Sequence, residues 1–178
     1  MKFLTQKLQL KSLSETGEIS GYASVFDLVD GCNDSVQKGA FENSINKFKN
    51  GKKPKLLWQH DVNFPIGIIT DLREDDYGLL ATGRLLFEIP KAKEVYLLLK
   101  NKAVDGFSIG YRVGDGYYNG GVHYLTDVDL VEISIVTFPA CAEAVVDHVK
   151  AVDLQNAACV TALKNISRKL NNFMKGTM

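Results

Sequence analysis

The stretch Asp105-Gly106-Phe107-Ser108-Ile109-Gly110-Tyr111 places one serine between two glycines in a run that is typical of a β-strand. Because side chains alternate across a strand, Ser108 shares a face with Gly106 and Gly110. Glycine inside a strand often marks the close approach of a ligand or another chain. The pattern predicts a strand whose serine hydroxyl is open to a base and to a substrate backbone. A small residue in a bulged strand is the structural alternative.

Composition favours one compact domain with an appendage. The chain has 178 residues, 46% of them hydrophobic, and a formal net charge of zero, and this length can bury a sizeable core. No apolar run approaches the roughly 18 residues that a membrane span needs, so no membrane contact is expected. The balanced charge, without a basic and aromatic stripe, argues against nucleic-acid binding. Three cysteines without a CxxC motif predict neither a disulfide framework nor a zinc site, and fit a reducing, cytoplasmic setting.

Local patterns predict a mainly β protein of the α+β class. Strand candidates, bounded by turn signals, cover residues 3–13, 19–26, 56–60, 66–71, 79–86, 104–113 and 122–138. Apolar residues at helical spacing predict two internal helices, at 41–50 and from Pro90 to 103. Residues 27–39 and 63–65 are predicted loops. Many strands with two helices indicate a closed, largely antiparallel β-barrel flanked by helices.

The chain changes character near Val152. From there, apolar residues spaced by three and four form one helical stripe, while lysine and arginine make the segment basic. We therefore predict a barrel domain over residues 1–150 and a basic amphipathic C-terminal helix over residues 151–178. This helix is expected to pack on the domain or on a partner.

A serine hydroxyl is a poor nucleophile until a positioned base takes its proton, so the three histidines are the first candidates for that base. His60 ends an apolar strand beside a loop, where a side chain can be held rigidly and still be reached. A core histidine with satisfied hydrogen bonds is the alternative there. His123 lies beside a glycine pair near a hairpin tip and is predicted to face solvent. His148 follows the last strand and is predicted to lie on the surface.

Glu132 is the one charged residue in the apolar stretch from Leu130 to Phe138. A buried carboxylate without a partner costs several kcal/mol, so Glu132 should be paired. Its partner could be Arg84, Arg112 or a lysine in a structural role, or a histidine that it orients for catalysis. Competing candidates for the orienting carboxylate are Asp61, Asp127 and Asp129.

The remaining candidate groups carry weaker signals. Arg112 follows Ser108 by four residues on the same strand face, where it could orient a substrate or form a structural salt bridge. Cys141 as a nucleophile would need a remote partner and ranks below Ser108. No His, Asp or Glu set has the short spacing of a metal site, and the glycines match no phosphate-binding motif. We therefore expect no metal and no cofactor.

Several segments together, in this order, resemble one family. They are Gly21–Phe26, Lys38–Phe41, Leu56–Asp61, Pro65–Gly67, Gly83–Leu85, Val104–Tyr111 and Leu130–Ala140. Over about residues 18–146 the chain is similar to the prohead (procapsid) maturation serine protease family of tailed bacteriophages and prophages. That family is related in fold to the herpesvirus assemblin proteases.

The resemblance implies a serine endopeptidase with a distorted β-barrel, in which Ser108 is the nucleophile, His60 the general base and Glu132 the third member. It implies that the substrate is the scaffold protein or the scaffold segment of the major capsid protein, and often the protease itself. The expected location is the assembling prohead in the cytoplasm of the host bacterium, with self-association as a further expectation. The loop Asp30–Val36 departs from the usual family pattern. The alternative functions are a non-catalytic capsid-assembly or scaffold protein that keeps the barrel, and a plain binding module.

Overall fold

The computed structural model describes residues 2–7 and 9–137, with side-chain surroundings from Ser14 onward. The predicted tail at 151–178, His148 and Cys141 lie outside the described residues. The elements, in chain order, are β1 (Lys2–Lys7), β2 (Gln9–Leu13), β3 (Glu18–Val25), β4 (Asp34–Val36), α1 (Glu42–Lys49), β5 (Lys55–Trp58), β6 (Asp61–Glu74), β7 (Gly78–Leu85), α2 (Pro90–Lys100), β8 (Gly106–Asn119) and β9 (Val122–Val136).

The nine strands of the described residues belong to one curled sheet. Its order is β1-β8-β9-β5-β6-β7-β3-β2, and the short strand β4 pairs with β9 off this path. The pairs β4–β9 and β5–β9 are parallel, and the other pairings are antiparallel. The mainly β class with two internal helices is thereby confirmed. Closure of the sheet into a complete barrel and the C-terminal helix stay predictions.

The two helices pack against the core of the sheet, and Ala92, Val95 and Leu99 of α2 belong to the same apolar cluster as Phe107 of β8. Pro90 occupies the first turn of α2, where its missing N–H costs nothing. The start of α1 is held by the Glu74 carboxylate of β6, which accepts the backbone N–H of Phe41 at 2.9 Å and that of Gly39 at 3.2 Å. Within the described ranges, no helix is long and apolar enough to cross a membrane.

Strands β8 and β9 separate the apolar core from a polar face. Phe107, Ile109 and Tyr111 of β8 belong to the core cluster, together with Ile133 and Ile135 of β9. The intervening residues lie on the opposite face because side chains alternate along a strand. This opposite face carries Ser108, Glu132 and Ser134, which are all buried. The candidate nucleophile is therefore held on a strand whose other face is fixed by packing.

Two predicted loops contain strand instead. Three residues of the loop at 27–39 form β4, which pairs in parallel with β9 through Asp34↔His123, Ser35↔Tyr124 and Val36↔Leu125. The loop at 63–65 lies near the start of β6, and Pro65 is tolerated there because the β5–β6 register is bulged on both sides of Leu57. Both were missed because short or exposed strands show no apolar alternation.

The prediction that His123 faces solvent is wrong. His123 is 9% exposed, its Nδ1 lies 3.1 Å from Asp34 Oδ1, and Tyr118 stacks on its ring at 4.3 Å. The buried Tyr111 hydroxyl donates to the other Asp34 oxygen at 3.0 Å. Burial, reinforced by Asp34, raises the pKa of Tyr111 well above its usual range. The unexpected strand β4 explains the error, because it brings Asp34 beside His123.

We expect Tyr111→Phe to lower the free energy of unfolding by about 1–3 kcal/mol, because it removes a buried donor from a buried carboxylate. Urea unfolding followed by the fluorescence of the single tryptophan, Trp58, measures this change. Tyr118→Phe is the control, since Tyr118 is 73% exposed and should change stability by less than about 0.5 kcal/mol. Equal stability of the two variants would contradict the assignment.

Candidate active site

Ser108 lies on β8, between the edge strand β1 and β9. Its Cα pairs with Ser134 on β9 and, on the other side of β8, with Thr5 on β1. The prediction of an open hydroxyl is wrong as regards solvent, because Ser108 is 0% exposed. The sequence could show the empty glycine positions on the same face, but it could not show that β8 lies between two other strands.

His60 belongs to a two-residue turn with unusual backbone geometry. Gln59 and His60 connect β5 to β6, and their φ angles are +55° and +60°. Positive φ at both central residues is the pattern of a type I′ hairpin turn, which normally uses Asn-Gly. Residues with a Cβ in this region cost roughly 1–2 kcal/mol each. Such strain persists only where the surroundings fix the turn.

The end of β9 supplies these fixing contacts for Gln59. Its backbone N–H donates to the Ile135 carbonyl at 2.9 Å, and its side-chain amide donates to Thr137 Oγ1 at 2.5 Å. The Thr137 backbone N–H donates a long hydrogen bond of 3.4 Å to Gln59 Oε1. The turn that carries His60 is therefore clamped onto the strand that carries Glu132.

Glu132 and Ser134 hold His60 itself. The Nδ1 atom of His60 lies 2.7 Å from Glu132 Oε1, and the His60 backbone N–H donates to Ser134 Oγ at 3.1 Å. Ser134 in turn donates its hydroxyl to Glu132 Oε2 at 2.6 Å. Both oxygens of the Glu132 carboxylate therefore take part in hydrogen bonds. The ring of His60 is held by Glu132, and its backbone is held by Ser134.

The sequence left open whether Glu132 pairs with an arginine, a lysine or a histidine, and the structure pairs it with His60. The carboxylate is 1% exposed, so leaving it unpaired would cost several kcal/mol. Two hydrogen bonds to a charged group contribute about 1.5–3 kcal/mol each and offset this cost. Arg112 lies instead near Asp129, with 3.6 Å between Nη1 and Oδ2.

The competing carboxylates have other partners. Asp129 binds Lys47 at 2.6 Å, and Asp127 accepts the Asn43 amide at 3.0 Å. Asp61 accepts the backbone N–H of Asn63 at 2.8 Å. Of the candidate carboxylates, Glu132 is therefore the one that the structure brings to His60.

Sequence reasoning missed two residues of this cluster, Ser134 and Gln59. A signal existed for Ser134, because it follows Glu132 by two residues and so shares its strand face. No signal existed for Gln59, because only the three-dimensional pairing of β5 with β9 brings it to Ile135. We call Ser108, His60, Glu132 and Ser134 the serine–histidine cluster.

The serine–histidine cluster has the parts required for general-base chemistry. A carboxylate that is ionised only accepts hydrogen bonds, so in the neutral imidazole Nδ1 donates to Glu132 and Nε2 is the acceptor nitrogen. The Nε2 atom is shielded from solvent. Within the described residues, no group of three or more His, Cys, Asp or Glu side chains is placed to hold a metal ion.

Sequence comparisons show that the chain is similar to phage prohead proteases. The model of the family described as caudovirus prohead serine protease matches residues 6–158. The prohead protease of Enterobacteria phage HK97 is 29% identical over 157 residues, which cover 86% of this chain and 69% of that protein. The prohead protease of Escherichia phage T5 is 26% identical over 140 residues, 76% of this chain and 64% of that protein.

Two further matches are a segment of a longer phage polyprotein and a solved structure. A capsid polyprotein of Pseudomonas phage PAJU2 is 31% identical over 114 residues, which make up 59% of this chain and 17% of that protein. The solved structure of the bacteriophage T4 capsid assembly protease superposes with a TM-score of 0.62. The match covers 78% of this chain and 97% of that one at 13% identity, so it supports a shared fold.

We expect Gln59→Gly to be more stable than Gln59→Ala by about 1 kcal/mol, because glycine adopts positive φ without the steric cost that alanine has. Both variants lose the same side-chain contacts to Thr137, so each is the control for the other. Urea unfolding of the two proteins measures the difference. Alanine equal to or better than glycine would show that the turn is not strained.

Proposed function

Because this chain belongs to the family of caudovirus prohead serine proteases, we propose that it is a serine endopeptidase that cleaves a scaffold protein, or the scaffold segment of the capsid protein, during prohead maturation. Family membership supports a protease role in phage capsid maturation. The observation that carries the chemical proposal is the contact of 2.7 Å between His60 Nδ1 and Glu132 Oε1, on the strand next to the one that bears Ser108.

In the proposed mechanism, Ser108 Oγ attacks the carbonyl carbon of the scissile peptide bond. His60 Nε2 accepts the hydroxyl proton and later delivers it to the leaving amine. The Glu132 carboxylate holds the imidazole in the required tautomer and stabilises the imidazolium that forms between these steps. Water then hydrolyses the acyl-enzyme by the same proton relay in reverse order.

Ser134 acts as a positioning residue in this proposal. Its hydroxyl contacts both the Glu132 carboxylate and the His60 backbone, and its Cα is the register partner of Ser108. Cross-strand partners share a face and lie close together, so Ser134 links the strand of the nucleophile to the base.

The proposed substrates follow from the relatives' names. Two of them are prohead proteases, and a third match lies within a capsid polyprotein. These names favour a capsid or scaffold polypeptide as substrate and the assembling prohead, in the host cytoplasm, as the site of action. Cleavage of the enzyme's own C-terminal segment and self-association belong to the same proposal.

One observation favours the second candidate function, a non-catalytic assembly protein that keeps the fold. Ser108 is 0% exposed, so a polypeptide reaches it only after its surroundings move. The two functions differ in whether capsid-protein processing depends on the Ser108 hydroxyl.

We expect Ser108→Ala to abolish processing when the protein is co-expressed with the capsid protein of the same phage, with a loss of about 1,000-fold or more in rate. Gel analysis and intact mass measure cleavage of the capsid protein and of the enzyme's own chain. Ser24→Ala is the matched control, because Ser24 is also a fully buried strand serine and makes no hydrogen bond within the described residues. Unchanged processing by Ser108→Ala would refute the protease proposal.

We also expect the dilute, isolated protein to cleave capsid protein at least about 100-fold more slowly than the protein co-assembled with it. Ser108 is covered, and confinement in a shell raises the effective concentration of substrate. Initial rates measured over a range of enzyme concentrations, with and without assembled shells, test this. Equal rates in dilute solution and in assemblies would contradict it.

A further inference from the structure

A positively charged groove lies beside the serine–histidine cluster. It has a volume of about 360 Å³ and is formed by α1, the loop after it, β5, β8 and β9. We call it the basic groove, and its charged lining residues are Lys47, Lys52, Lys53, Lys55, Arg112 and Asp129.

The charge of the basic groove contrasts with that of the whole chain. Five cations and one carboxylate line the groove, while the full chain has a formal net charge of zero. A hydrogen bond from Lys47, with the charges of Lys47, Lys52 and Arg112, lowers the pKa of Asp129, so this carboxylate stays ionised near neutral pH. Four positive charges remain in excess, and they create a local field that attracts an anion.

The groove borders the segment of β9 that leads to Glu132. The Cα of Lys55 pairs with that of Glu132 in the β5–β9 register, and Leu130 and Val131, which precede Glu132, also line the groove. Arg112 pairs with Asp129 on β8 and β9. The groove therefore begins one register position from the carboxylate that holds His60.

We propose that the basic groove binds an acidic segment of the polypeptide that the enzyme cleaves. This inference rests on the proposed protease function and adds a preference in the substrate. Strand residues advance about 3.3 Å each, so the five positions from Asp129 to Ser134 correspond to about five residues of an extended substrate. The acidic segment would lie about that far from the scissile bond.

A peptide fits this groove better than a nucleic acid. Proteins that bind single-stranded nucleic acid combine positive charge with aromatic side chains on which bases stack. No aromatic residue lines the groove within the described part of the chain, and the ionised Asp129 lies among the cations. The basic segment after Val152 has the wrong sign to fill the groove.

Binding is tested on the full-length Ser108→Ala protein, so that no cleavage occurs. The probe is a fluorescein-labelled peptide of roughly 12 residues with about six glutamates, and the control peptide has glutamine at the same positions. Fluorescence anisotropy should show the glutamate peptide binding at least about tenfold more tightly, and about tenfold more weakly at roughly 300 mM than at roughly 50 mM salt. Equal affinities for the two peptides would overturn the proposal.

Charge reversal locates the site. Lys52→Glu with Lys53→Glu, added to Ser108→Ala, should weaken binding of the glutamate peptide by at least about tenfold. Lys93→Glu with Lys100→Glu is the matched control, because both lysines are exposed on α2, which does not line the groove, and it should bind as the parent does. Equal loss in both double variants would mean that binding is non-specific and that the groove is not the site.

Two outcomes separate this inference from the protease proposal. If the wild type processes capsid protein but the Lys52 and Lys53 variant binds the glutamate peptide normally, the groove proposal alone is wrong. If the groove binds the peptide but Ser108→Ala leaves processing unchanged, the protease proposal alone is wrong. A single-stranded oligonucleotide that binds more tightly than the glutamate peptide would overturn the choice of a peptide ligand.

Discussion

The buried carboxylate of Glu132 is the constraint on which the site depends. At 1% exposure it must be compensated within the protein, and its two oxygens accept from the His60 ring and the Ser134 hydroxyl. These contacts require β5 to lie beside β9, which the parallel pairing of the two strands ensures. The compensation of one charge therefore fixes the position of the candidate base relative to the strand next to Ser108.

The turn at Gln59 and His60 shows how the fold maintains this position. A two-residue turn with positive φ at both residues is unfavourable for side chains with a Cβ, and it is held by contacts from Ser134, Ile135 and Thr137 on one strand. Small losses in these contacts would free the turn and move the imidazole. The strain is a reason to expect that the end of β9 matters for activity as well as for folding.

Much of this arrangement could be predicted from the sequence, and the rest could not for identifiable reasons. Alternation in β8 and β9 predicted that Ser108 and Glu132 are strand residues, as the structure shows. The strand predicted to end at His60 ends at Trp58, so His60 lies in the turn that follows it. The sequence did not reveal β4, because a strand of three residues is too short to show an alternation of apolar and polar side chains. It also placed His123 in solvent, because its partner Asp34 is distant in the chain.

In the proposed mechanism, Glu132 holds His60 with Nδ1 protonated, and Nε2 acts as the base. Nitrogen NMR of the full chain with ¹⁵N-labelled histidine, with His60 assigned by its loss in His60→Ala, measures this tautomer directly. We expect neutral His60 to carry its proton on Nδ1 and Glu132→Gln to disturb this preference. A His60 ring protonated on Nε2, unchanged in Glu132→Gln, would contradict it.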